Sequence, residues 1–385
     1  MTEVKLSERS WTAIVILYLC LIYPPFILSN AASEKSFIKG DCFYYRAVII
    51  SLLHDGDLLL ANNVQDRNPL DGQLALGKGG LVPKHPIIMP LISIPFYLLL
   101  RDHGLLVFNI LDCIILIVLI FKLNCLFFSR LIALITTILY ATGTLFLDYT
   151  YNYSPDVFST VLVLSGLYLV LKEKFFTGAF LLGWSLFAKI PNAPLAAVIL
   201  LYAILVILRR VPANGGSKEY LNFSKVGSAV TTIVIFIMAL MPLAYTNYLL
   251  FGSPVVTGYQ RTAIAGDAPG EVLSVDHTDR FSQPLIKGAY QLLFHHYYGV
   301  VPTNPIIILA FLGVISMRKT EDRPKLFLIL TLCFIQFIFF SKYNESQSSH
   351  FSNRFLMTFV ALSSVFTSNF LSYFSAKYLP GRFNL

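Results

Sequence analysis

Pro86-Ile87-Ile88-Met89-Pro90-Leu91-Ile92-Ser93-Ile94-Pro95-Phe96-Tyr97-Leu98-Leu99-Leu100 is the stretch whose reading decides the fold. It is apolar, yet its 15 residues fall short of the ~20 that a bilayer crossing needs. Prolines at 86, 90 and 95 interrupt it further. We read it as a re-entrant or interfacial helix that returns to the membrane without crossing, because irregular backbone at membrane depth must be sheltered.

Outward from this stretch most of the chain is apolar. Of its 385 residues 56% are hydrophobic and 13% charged, with a mean hydropathy of +0.68. A soluble chain carries about 25% charged residues. The apolar runs are continuous rather than alternating, which excludes a transmembrane β-barrel. Crossings are expected at 11–29, 104–121, 130–148, 154–171, 175–190, 191–209, 226–250, 304–317, 325–341 and 355–376. The expectation is an all-α polytopic membrane protein with about ten transmembrane helices, read as a single membrane domain over 1–385 with no separate soluble domain. Trp11–Leu28 reads as a retained first helix, since no cleavage motif of small residues follows convincingly.

Charge tests the topology. With the N-terminus inside and 86–100 not crossing, the inner segments hold 16 of the 29 lysines and arginines. The short outer loops 149–153, 189–192 and 342–354 hold three. That asymmetry follows the positive-inside rule. If 86–100 crossed, Arg209, Arg210, Lys218 and Lys225 would face outward against it. Both termini are therefore expected in the cytoplasm. The net charge of +8 is topological, and no coherent basic face suggests nucleic acid. All seven histidines (His54, His85, His103, His277, His295, His296 and His350) fall outside in this scheme. Chemistry, if present, faces the periplasm, the cell exterior or a lumen.

Two long outer loops carry the polar residues: 30–85, and 252–303. The first is expected to hold an amphipathic helix from Phe43 to His54, with Val48, Ile49, Leu52 and Leu53 on its apolar side and an end at Asp55-Gly56-Asp57. Asp41 stands just ahead of it. A carboxylate at the membrane surface beside aromatic rings is partly desolvated, which strengthens it as a proton acceptor. Asp is also a preferred helix cap, so both readings stay open. Lys84 and His85 precede Pro86, where a cation can pair with a lipid phosphate or merely snorkel. Arg261 and Arg354 are outer arginines able to add a fork of donors. Asp156 is a boundary carboxylate, either functional or favoured by the helix dipole. Lys189 ends an apolar helix outside, against the charge trend. Cys20, Cys42, Cys113, Cys125 and Cys333 lack metal spacing and read as structural thiols. His295 and His296 are adjacent, so they do not share a helix face, and no divalent metal or other cofactor is indicated.

These residues together resemble the GT-C superfamily of integral-membrane glycosyltransferases. The nearest style is the family-39-like group of protein O-mannosyltransferases, lipid A aminoarabinose transferases and their bacterial relatives. The resemblance rests on Asp41, the Gly56-Asp57 turn, Lys84-His85-Pro86 and the proline-bearing stretch to Leu100. It continues through Tyr153-Ser154-Pro155-Asp156, Gly178…Gly183…Ala188-Lys189, the Asn247–Tyr259 segment and Asn353-Arg354-Phe355-Leu356. Three positions depart from the family pattern. Cys42 follows the first acid where relatives have a second, a single proline follows the basic pair, and Ser352-Asn353 replaces a glycine.

The resemblance implies a compact member that moves a hexose or pentose, with inversion, from a polyprenyl-phosphate-linked donor to a hydroxyl of a glycan, lipid or protein acceptor. Asp41 would be the base. Lys84, His85, Arg261 and Arg354 would hold the donor phosphate. Asp156, Lys189, Tyr44, Tyr45 and Tyr259 would line the pocket, the tyrosines as stacking surfaces for sugar rings. The competing readings are a transporter or lipid flippase, which needs polar residues at midplane where only Asn109 and Asp112 offer them, and a scaffold whose outer loops bind a partner.

Overall fold

The computed structural model describes the chain apart from residues 1–6, 34, 39, 66–67, 210–222, 269–270, 318–321, 345–352 and 379–385. His350, Ser352, Arg210, Lys218 and the end of the C-terminal segment lie outside the described residues. In chain order the elements are α1 (Glu8–Ala32), α2 (Asp41–Ile50), β1 (Asp71–Gly77), β2 (Gly80–Pro83), α3 (Ile88–Leu100), α4 (Asp102–Asn124), α5 (Arg130–Gly143), α6 (Leu145–Asp148), α7 (Pro155–Leu171), α8 (Phe175–Ala188), α9 (Ala193–Arg209), α10 (Phe223–Phe251), β3 (Thr262–Ala265), β4 (Val272–Val275), α11 (Leu285–Phe294), α12 (Val300–Thr303), α13 (Ile307–Ile315), α14 (Arg323–Ser341) and α15 (Met357–Tyr378).

Six helical stretches among the described residues are long and apolar enough to cross a membrane. They are α1, α4, α9 with the turn before it, α10, α14, and α15 with the turn before it. The α3, α5, α7 and α8 helices are apolar but shorter. At 13 residues α3 spans about 20 Å, less than the ~30 Å hydrocarbon core. The expected run 130–148 breaks at Gly143, after which Thr144 adopts extended backbone and starts α6.

The chain divides into two compact units, Met1–Lys39 with Pro95–Leu164 and Arg280–Leu385, and Gly40–Ile94 with Ser165–Asp279. In the first, α15 is largely buried and its hydroxyls bind its neighbours. Tyr140 Oη lies 2.9 Å from both Ser363 Oγ and Thr367 Oγ1. Asn124 Nδ2 donates to Ser364 Oγ at 3.0 Å, and Ser368 Oγ donates to Thr136 Oγ1 at 2.7 Å. Such bonds between helices in lipid contribute about 0.6 kcal/mol each, so α15 is held by their number together with close packing. Gly313 supplies that packing, since a Cβ there would lie 2.6 Å from the carbonyl carbon of Phe366.

In the second unit α8 packs between small residues. A Cβ on Gly183 would lie 2.6 Å from Ala239 Cβ and 2.9 Å from the Phe236 carbonyl. The sequence Gly178…Gly183 is thus a contact face on which helix backbones approach. The outer side of α10 exposes Val230, Val234, Ile237, Met241, Tyr245 and Tyr248. Their spacing of three and four residues makes one stripe, as a lipid-facing helix requires.

The second unit also corrects the all-α expectation. It contains a four-stranded antiparallel sheet in the order β2-β1-β3-β4. The hairpin β1–β2 turns at Lys78-Gly79, with Gly77 opposite Gly80. β1 also pairs with β3, Ala75 opposite Thr262, so the segments 30–85 and 252–303 join in one sheet. The strands are four to seven residues long, and partners this distant leave no local periodicity to read. A second correction concerns Asp41. The residue preceding α2 is Gly40, at φ +51°, and Asp41 is the first helical residue, not the cap. The helix continues as a π-turn over Ser51–Asp55 and ends at Gly56, at φ +72°.

Candidate functional site

Asp41 opens α2 and is half-buried. A carboxylate in the first turn is favoured by the helix dipole. Tyr44 and Tyr45 follow at the three- and four-residue spacings that put them on the face of Asp41. Tyr44 Oη donates to Asp71 Oδ2 at 2.6 Å, while Asp71 Oδ1 accepts from the Gln73 amide at 3.0 Å. α2 is thereby tied to the start of β1. Both tyrosines are buried. The Tyr45 ring stacks on His85, with centroids 5.7 Å apart and planes 17° from parallel.

Lys84 and His85 follow β2 directly. Lys84 is 8% exposed, unusual for a lysine. Its ammonium donates to the Gly72 carbonyl at 2.7 Å and lies 3.1 Å from His277 Nδ1. With the ammonium as donor, His277 accepts at Nδ1 and carries its own proton on Nε2. The Tyr259 ring centroid is 5.9 Å from Lys84 Nζ, and Tyr259 Oη is 3.0 Å from His85 Nδ1. Tyr259 sits on the 3-10 turn Gly258–Arg261, fixed by a capping box between Thr257 and Gln260. Gly258 is required here because a Cβ would run into the backbone of Lys84, 2.6 Å from its Cα. Arg261 ends the same turn and is exposed. Lys189 is half-buried at the end of α8, its amide donating to Ser185 O at 2.9 Å.

In the first unit Asp156 is 3% exposed at the start of α7, its amide donating to Ser154 Oγ at 3.2 Å. Arg354 Nε stands 4.0 Å from Asp156 Oδ2. Arg354 opens a 3-10 turn capped by Asn353, whose Oδ1 accepts from the Phe355 amide at 3.0 Å. Among the described residues no group of three or more His, Cys, Asp or Glu side chains is placed to hold a metal ion.

No family model matches this chain, and no curated protein does. Solved structures match in fold. ArnT from Cupriavidus metallidurans bound to undecaprenyl phosphate aligns with a TM-score of 0.56 at 11% identity, over 95% of this chain and 61% of that one. The archaeal oligosaccharyltransferase AglB from Archaeoglobus fulgidus, in complex with an inhibitory peptide and a dolichol-phosphate, aligns with a TM-score of 0.54 at 13% identity. That alignment covers 96% of this chain and 51% of AglB. The fold is the GT-C fold. The chain spans about half to three-fifths of the length of these two proteins.

Within this GT-C fold the second unit brings Tyr45, Lys84, His85 and Tyr259 into one cluster, and the first brings Asp156 to Arg354. Sequence reading placed His277 outside the membrane but gave it no task, and it passed over Gly72 and Gly258 as site residues. The glycines of Lys78-Gly79-Gly80 were the available signal, because a two-residue turn between short apolar runs marks a hairpin. Nothing local could pair that hairpin with 262–275.

Proposed function

We propose that this chain is a glycosyltransferase that moves a sugar from a polyprenyl-phosphate-linked donor to an acceptor hydroxyl. The observation that carries the reading is Lys84. A buried ammonium sits where the chain turns back toward the membrane, in a fold whose solved examples hold undecaprenyl phosphate or dolichol-phosphate. A lysine at lipid-headgroup depth suits a phosphate monoester, and burial strengthens the attraction.

In this reading the acceptor hydroxyl attacks the anomeric carbon from the face opposite the phosphate. The new carbon–oxygen bond forms as the bond to the phosphate oxygen breaks, so the anomeric configuration inverts. The proton of the hydroxyl passes to the Asp41 carboxylate, and the electron pair of the broken bond stays on the leaving polyprenyl phosphate. Lys84 stabilises the charge that develops there, with His85 and Arg261 as further donors. Lys189 and Tyr44 shape the pocket. Tyr45 backs His85, and Tyr259 orients both members of the Lys84-His85 pair. The site faces the periplasm, the exterior or a lumen, with both termini cytoplasmic and about ten crossings, as the charge distribution supports.

The test is transfer by the purified protein in nanodiscs, using radiolabelled polyprenyl-phosphate hexoses and pentoses with a membrane extract as acceptor source. The wild type releases polyprenyl phosphate as label enters the acceptor. Asp41→Asn lowers the rate by about 10²–10⁴-fold, the usual share of a general base. An Asp41→Asn variant with full activity would show the base to be wrongly assigned.

A further inference from the structure

The first unit carries an open cleft of about 360 Å³ lined by Ser282, Gln283, Pro284, Lys287, Gln291 and Asn344. It lies between the start of α11 and the chain just after α14. Gln283, 7% exposed, donates from Nε2 to Gln291 Oε1 at 2.6 Å. Asn344 Nδ2 donates to Ser282 Oγ at 2.7 Å. The backbone fixes both pairs, with the Gln283 amide on Lys342 O at 3.1 Å and the Asn344 amide on Arg280 O at 2.7 Å. The polar groups are therefore held in place before any ligand arrives.

Counting the bonding capacity left over defines the ligand. One amide–amide bond leaves a carbonyl on Gln283 and an NH₂ on Gln291 with capacity to spare. The second leaves the Asn344 carbonyl and the Ser282 hydroxyl proton. Lys287 adds one exposed cation. A phosphate or sulfate accepts only, so two carbonyls would repel it. Sugar hydroxyls donate and accept together, and suit alternating carbonyls, amide and hydroxyl. The lysine then selects a sugar that also bears a carboxylate.

The setting agrees. α11 exposes Ile286, Tyr290 and Phe294 at successive four-residue spacings, while Gly288 and Leu292 are buried. An amphipathic helix of this kind lies in the membrane interface.

We infer that this cleft binds an acid-bearing saccharide, a uronic acid unit of the acceptor glycan. Its assignment to the acceptor rests on the proposed glycosyl transfer, whereas its binding does not. The experiment is saturation-transfer-difference NMR on the full chain in phosphatidylcholine nanodiscs, with cellobiose and its glucuronate-terminated counterpart as probes. The wild type binds the acidic disaccharide more tightly. Lys287→Met weakens that binding about ten-fold, the usual effect of losing a charge-assisted bond, and leaves cellobiose unchanged. Gln291→Leu weakens both probes. Equal binding of the two sugars, indifference to Lys287→Met, or displacement of the acidic probe by phosphatidylglycerol in the nanodisc overturns the inference. Melting temperatures confirm that the variants are folded. Loss of donor cleavage with saccharide binding intact would refute the transfer reading alone. Intact cleavage with no saccharide binding would refute the cleft alone.

Discussion

The ammonium of Lys84 lies 3.1 Å from Nδ1 of His277, a residue 193 positions further along the chain. The contact exists because β1 pairs with β3 and β3 with β4, which carries the segment after Val275 back to the end of β2. His277 accepts a hydrogen bond and leaves the positive charge on Lys84, so it aims the cation without neutralising it.

His277 should therefore act as a positioning residue. His277→Ala removes one acceptor from the ammonium, and a hydrogen bond to a charged group contributes about 1.5–3 kcal/mol. The KM for the lipid-linked donor should rise roughly ten-fold or more, with a smaller change in kcat. His277→Gln keeps a side-chain acceptor and should recover most of the loss. Equal kinetics for the Ala and Gln variants would count against this role.

Gly258 leaves room for the backbone of Lys84. Gly258→Ala places a methyl 2.6 Å from the Lys84 Cα, and the Lys84-His85 pair must shift. Donor cleavage should fall at least ten-fold, because a displacement of ~1 Å in a binding group costs up to 10²-fold. Unchanged cleavage in a folded Gly258→Ala protein would contradict the close approach.

Asp156 and Arg354 form a pair whose side chains are only 3% and 18% exposed. Removing one partner strands a buried charge, at about 3–5 kcal/mol. Arg354→Ala should lower the melting temperature sharply, and adding Asp156→Asn should restore part of it. Additive losses in the double variant would mean that the pair is not coupled.

Gly183 sets the distance between α8 and α10. Gly183→Val overfills a contact where even a Cβ lies 2.6 Å from Ala239. Overpacking costs about 1–3 kcal/mol. The melting temperature should fall accordingly, and a wild-type value would show that the helices separate freely.

The apolar helices were legible because long apolar runs are a property of the local sequence, and six of the expected crossings have helices long enough among the described residues. The fold was legible only through the motifs that resemble GT-C enzymes. Val48 and Ile49 fell on the buried side of α2, and Gly56 ended its π-turn, as their residue types require. The sheet was not legible. Its strands are short, and the pairing of Ala75 with Thr262 depends on the whole bundle. His277 was missed for the same reason. Of the two readings left open for Asp41, the cap falls away, because Gly40, with no side chain to donate or accept, takes the positive φ ahead of the helix. Tyr44 and Tyr45 read as surfaces for sugar rings, but burial gives Tyr44 a hydrogen bond to Asp71 and Tyr45 a stack on His85.

The most direct test of the central claim is the cleavage of polyprenyl-phosphate sugars by wild type and Lys84→Met in parallel nanodisc preparations, with melting temperature as the control for folding. The account predicts release of polyprenyl phosphate by the wild type, an inverted anomeric centre in the product, and a loss of about ten-fold or more in Lys84→Met. A folded Lys84→Met protein that cleaves the donor at the wild-type rate, or a wild type that cleaves none of the donors, would contradict it.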